Sequence, residues 1–107
     1  MLNNICYQGY VLDQPEKRTN SNGNTFLPFT LKQKKRFGDD KYDYVDVIIG
    51  NEKRAAFFED KLYRGRNITV EGELHFSKNE KDGKKYYNPY IQANNIHFNE
   101  WPTEEKN

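Results

Sequence analysis

The sequence predicts an all-β fold, a small Greek-key barrel of five strands with one helix inserted between the third and fourth. Three observations carry that prediction. Short apolar segments alternate with polar residues at a period of two, clusters of Asn, Asp, Gly and Pro separate them, and one stretch of helical spacing follows the third strand. At 107 residues the chain has the size of a single domain. It is 35% hydrophobic and 31% charged, so the core must be thin.

The first strand is read over Leu2 to Leu12, carrying Ile5, Tyr7, Tyr10 and Val11. Pro15 breaks it, and Asn20-Ser21-Asn22-Gly23-Asn24 is turn chemistry, Asn22-Gly23 being suited to positive φ. Strand two follows, with Leu27, Phe29 and Leu31 on one face and Phe26, Pro28, Thr30 and Lys32 on the other. Pro28 lacks a ladder donor and marks an edge or a bulge. Strand three spans Tyr42 to Ile49, with Val45, Val47 and Ile49 inward. Asn51 caps a helix expected to reach Tyr63, its inner stripe being Ala55, Phe58 and Leu62, and Gly65 is placed to end it. Strand four is read from Asn67 to Phe76, a charged loop over Lys78 to Lys85, and strand five from Tyr86 to Phe98. Five strands with the helix in that position describe an OB-fold, expected over residues 1–99, with 100–107 a short flexible tail.

Several function classes fall away. No apolar run approaches the roughly 20 residues of a membrane helix, and the first residues lack the pattern of a secretory signal. Cys6 alone forms no intrachain disulfide or cysteine-based zinc cluster. Two histidines, His75 and His97, lie in separate strands without clustered acids, so neither a metal site nor a cofactor is expected. No glycine-rich phosphate loop and no nucleophile–base constellation occurs, which argues against an enzyme. The expected setting is the cytoplasm.

Net charge is only +1, so any polyanion partner must be met by local distribution. Lys32, Lys34, Lys35 and Arg36 form a basic run ending in Phe37, with Lys32, Lys34 and Arg36 on the face opposite the core stripe. A row of cations neutralises phosphates, and a ring beside it gives a base a stacking platform. A solvated edge strand whose lysines discourage aggregation accounts for the same run. The second basic segment, Lys78 to Lys85, holds four Lys against Glu80 and Asp82, flanked by Phe76, Tyr86 and Tyr87. Cross-strand tyrosine packing is the alternative there. Which face Tyr87 and Tyr90 occupy stays open, because Pro89 can shift the register. Lys17 and Arg18 add weaker candidates for phosphate contacts. Asp39, Asp40, Asp43 and Asp46 oppose the basic run, and a cross-strand ion pair is the expected role of Asp46.

Particular segments resemble the bacterial single-stranded DNA-binding protein family. They are Asp13-Gln14-Pro15-Glu16-Lys17-Arg18 after Gly9 and Leu12, Phe29-Thr30-Leu31, and Asp43-Tyr44-Val45-Asp46-Val47-Ile48-Ile49. Most specific is Leu62-Tyr63-Arg64-Gly65-Arg66-Asn67-Ile68-Thr69-Val70-Glu71-Gly72-Glu73-Leu74, and Asp82-Gly83-Lys84-Lys85-Tyr86-Tyr87 fits the family's final hairpin. The resemblance implies non-catalytic, largely sequence-independent binding of single-stranded DNA in replication, recombination or repair, by a homodimer or homotetramer. It places stacking rings at Phe37 and Tyr44. A third falls at Gly50 or, one residue shifted, Ile49, where no ring stands. A fourth falls near Lys78 or Asn79, with Phe76, Tyr86 or Tyr87 as substitutes. The family's long linker and acidic tip have no counterpart here. That implies a compact, tail-less member of the kind mobile elements and phages carry, or a shortened chain.

The expected site is therefore Lys32, Lys34, Lys35, Arg36, Lys78, Lys84 and Lys85 on phosphates, with Phe37, Tyr44, Phe76 and Tyr86 on bases. The alternative is a primosome-like OB-fold accessory that docks on replication proteins and touches DNA or RNA weakly.

Overall fold

The computed structural model describes residues 2–37 and 40–99. Its elements in chain order are β1 (Ile5–Val11), β2 (Arg18–Thr19), β3 (Thr25–Lys34), β4 (Tyr42–Ile49), α1 (Glu52–Glu59), β5 (Asn67–Lys81) and β6 (Lys84–Phe98). The sheet runs β1-β5-β6-β4-β3, and β3 returns to β1 through Tyr10↔Lys32 and Val11↔Leu31, closing a ring. Among the described residues only β4 and β6 run parallel (Asp46↔Tyr90, Val47↔Ile91, Ile48↔Gln92). The expected barrel, with its helix between the third and fourth ring strands, is the one observed. The short β2, pairing with Phe26 and Thr25 inside the first loop, was not anticipated.

Alternation fixes the inside. Val11, Leu27, Phe29, Leu31, Val47, Ile49, Ile68, Val70 and Ile91 fill the barrel, and Ala55 of α1 and Leu62 join the same core. Each fully buried Leu or Ile contributes about 1.5–3 kcal/mol. Pro28 lies on a stretch of β3 that has β4 on one side only, since pairing with β2 ends at Phe26 and pairing with β1 starts at Leu31. Of the two alternatives its missing donor allows, an edge or a bulge, the edge is the one observed.

Four boundaries differ from expectation. β1 begins at Ile5 because Asn3 meets the backbone of Leu74 with its side chain: Nδ2 donates to the carbonyl and Oδ1 accepts from the amide, both at 2.8 Å. The helix stops at Glu59, short of Tyr63. Beyond it the chain is tied to β1, Gly65 N–H donating to Val11 O (2.7 Å) and Val11 N–H to Arg66 O (2.9 Å). Gly65, at φ 85°, therefore serves this turn and does not cap the helix. β3 ends at Lys34, so Arg36 lies past the strand and does not extend the Lys32–Lys34 face. Finally, Lys78 to Lys85 is no loose loop. β5 and β6 pair to Lys81↔Lys84, joined by Asp82 (φ 55°) and Gly83 (φ 77°). Two successive positive φ values make a two-residue turn whose twist matches the strands.

The cap at Asn51 is confirmed, with Oδ1 accepting from Lys53 N–H (2.9 Å) and Arg54 N–H (3.2 Å), but the residue stands at φ 74°. Asn51→Ala therefore removes the cap and strains the backbone, with an expected loss of about 1–2 kcal/mol. Asn51→Gly keeps the φ freedom and loses only a few tenths of a kcal/mol. Urea denaturation of both variants checks the contrast.

Candidate functional site

Residues paired across strands point to the same side of a sheet, and neighbours along a strand to opposite sides. That rule assigns the outer face of β3 and β4. Thr30, Lys32 and Lys34 stand opposite Asp46, Tyr44 and Tyr42. The row extends sideways: Tyr10 of β1 pairs with Lys32, and Tyr90 of β6 pairs with Asp46. The Lys32 ammonium lies 4.3 Å from the centre of the Tyr42 ring. Tyr44 is 58% exposed, a phenol standing off the sheet next to cations.

Beyond this face the loop after β3 carries Arg36 and Phe37, whose ring is 82% exposed with the guanidinium 5.8 Å from its centre. An open ring on a turn has no packing role, and it is free to receive a planar ligand. Lys35 is differently engaged, its ammonium paired with Asp43 at 2.7 Å. Ligand phosphates must compete with that carboxylate, as the proximity of the acidic residues suggested. Asp39 lies outside the described residues. Tyr7 borders the same corner. Burial, then the Asp43 charge, push its phenol above the ordinary 10.0, and Lys35 opposes them.

The β5–β6 hairpin has two faces, and they divide the expected residues. Tyr86, Asn88 and Tyr90 share one face with Ser77, Asn79 and His75 opposite them, and Lys84 continues it. Through Tyr90 this face is continuous with the outer side of β4. Phe76, Lys78, Lys85 and Tyr87 lie on the other face, which follows on from Leu74 and Ile91. Pro89 leaves the register regular; the shift falls at Glu71/Gly72. Lys32, Lys34, Tyr44, Lys84 and Tyr86 are thus on one surface with Phe37 and Arg36 at its end, and Phe76, Lys78 and Lys85 are on the reverse of the hairpin.

Between the Asp13–Arg18 loop and the hairpin lies a groove of about 600 Å³. Pro28, Thr30, Asp46 and Ile48 form its floor, with Ser77, Asn88 and Tyr90 along one wall. Asp46 makes no ion pair among the described residues, contrary to expectation; it accepts a hydrogen bond from the Thr30 hydroxyl at 3.0 Å. Tyr10, Tyr90, Asn88 and Thr30 are not among the site residues expected from the sequence. Alternation put Thr30 outward, but only the pairing of distant strands lines it up with Tyr90.

Among the described residues no group of His, Cys, Asp or Glu is arranged to hold a metal ion, and no helix is long and apolar enough to cross a membrane. The closed ring, the helix and a ring-and-cation face between two loops define an OB-fold whose ligand surface suits an extended, charged, base-bearing chain.

Comparison with known proteins agrees. Residues 2–99 match the Single-strand binding protein family, and the chain belongs to it. It is 27% identical over 111 residues to Single-stranded DNA-binding protein 3 of Clostridium acetobutylicum, covering 99% of this chain and 76% of the relative. Among solved structures it resembles the Plasmodium falciparum SSB in complex with ssDNA (TM-score 0.78, 21% identity, 94% of this chain and 96% of that one). The small single-stranded DNA-binding protein of Streptomyces coelicolor is also similar (TM-score 0.72, 22% identity, 94% and 97%). At that identity the two structures speak for the fold.

Proposed function

We propose that this protein binds single-stranded DNA without chemistry and largely without regard to sequence, shielding the strand during replication, recombination or repair in the cytoplasm. The observation that carries the reading is the continuous outer surface on which Tyr44, Tyr86 and Tyr90 alternate with Lys32, Lys34 and Lys84. Rings give each base a platform whatever its identity, and cations track the phosphates. Membership of the family and the likeness to a relative named for single-stranded DNA binding support it. The partner-docking alternative, which the low net charge and the missing ring at Gly50 favour, is not better supported. The reading includes two or four copies in contact. Ile5 to Tyr7 of β1 pair with β5 on one side only, leaving backbone available to a second chain, whereas the Gln8 carbonyl is taken by the Gln33 side chain.

Titration with oligo-dT over a range of salt tests this. About four phosphate contacts give a slope of log affinity against log salt near −3 for a single strand. Absence of binding at low salt overturns the proposal.

A further inference from the structure

The groove floor is not a phosphate site. Asp46, Asp13 and Glu16 all line it, and among the described residues Arg18 is the one cation along its lining. A phosphate entering there meets carboxylates. Its apolar parts, Pro28, Ile48 and the Tyr90 ring, offer flat contact to a base. A strand on this surface therefore turns its bases into the groove and its backbone toward the lysines outside.

The Thr30 hydroxyl donates to one oxygen of Asp46, orienting the carboxylate and leaving the second oxygen for a ligand. An ionised carboxylate only accepts hydrogen bonds, so it discriminates among bases by what they offer. Cytosine presents an exocyclic amine, N4–H₂, a donor that Asp and Glu accept. Thymine carries a carbonyl at the same position, and its N3–H is recessed between two carbonyls that repel the carboxylate. Building on the single-strand reading above, we infer that the groove is a base-reading subsite in which Asp46 accepts from the amine of an amino-bearing base and disfavours thymine.

Oligo-dC and oligo-dT of equal length test it, at low salt and mildly alkaline pH where cytosine stays neutral. The two bases match in size, so the comparison isolates the donor-for-acceptor exchange. The expected result is about five- to tenfold tighter binding of oligo-dC, the return of one hydrogen bond to a charged acceptor. Asp46→Asn brings the two within about twofold, chiefly by strengthening oligo-dT, because a neutral amide can donate or accept. Thr30→Val retains the charge but frees its orientation, and lowers the ratio without strengthening oligo-dT. Circular dichroism shows whether the variants are folded; both substitutions are near-isosteric. Oligo-dT bound as tightly as oligo-dC by the unmodified protein, or a preference that survives Asp46→Asn, overturns the subsite and leaves single-strand binding standing. Failure to bind either oligonucleotide overturns both.

Discussion

Gly72→Ala is expected to cost about 3 kcal/mol or more and to lower the melting temperature by roughly 12–20 °C. A Cβ built at this position meets the Gln92 carbonyl oxygen at 2.0 Å, its carbon at 2.9 Å and Ala93 Cα at 3.1 Å. All three belong to backbone in the neighbouring strand and cannot swing aside. Gly72 is also where the β5–β6 register shifts, and it pairs with Ile5 on its other side. Relief requires parting two ladders at once. Gly50→Ala is the control, since its Cβ meets only the tip of Gln92 at 3.9 Å. Thermal melts of the pair should differ widely; a Gly72→Ala protein that melts with the parent would show that the β5–β6 contact is looser than described.

Tyr44→Ala should weaken oligo-dT binding by about 5- to 150-fold, corresponding to about 1–3 kcal/mol for one stacked base. The melt should barely move, because the ring is 58% exposed and outside the core. Tyr44→Phe keeps the stacking surface and should bind within about twofold of the parent. Phe76→Ala separates two routes for the strand. The ring is as open as Tyr44 but on the reverse of the hairpin, so a strand confined to the groove surface ignores its loss. An effect as large as that of Tyr44→Ala would place DNA on both sides of the hairpin. Fluorescence titration measures all three.

The core was legible because it obeys local rules. Leu27, Phe29 and Leu31 declare their face by alternation, Val45, Val47 and Ile49 do the same, and Asn51 announces a helix start. The outer surface was only partly legible. Lys32, Lys34 and Tyr44 follow from the same alternation. Tyr86 and Phe76 look equivalent in sequence, and the pairing of β5 with β6 sets them on opposite faces. Lysines close along the chain suggest an ion pair for Asp46, but a cross-strand hydroxyl, Thr30, reaches it. The charge between Lys78 and Lys85 points to a loop, but the backbone preference of Asp82-Gly83 lets pairing run to the tip.

The two-residue tip imposes a rule of parity on the hairpin. With no slack at the turn, adding one residue to a single strand beyond the bulge would exchange inside for outside at every position further out. Tyr86 would trade places with Tyr87, and Lys84 with Lys85. Lengthening by one residue in each strand merely carries the tip outward and preserves the chemistry of both sides. Viable relatives should therefore vary this arm in matched increments, long or short, and unpaired insertions should be confined to the tip itself.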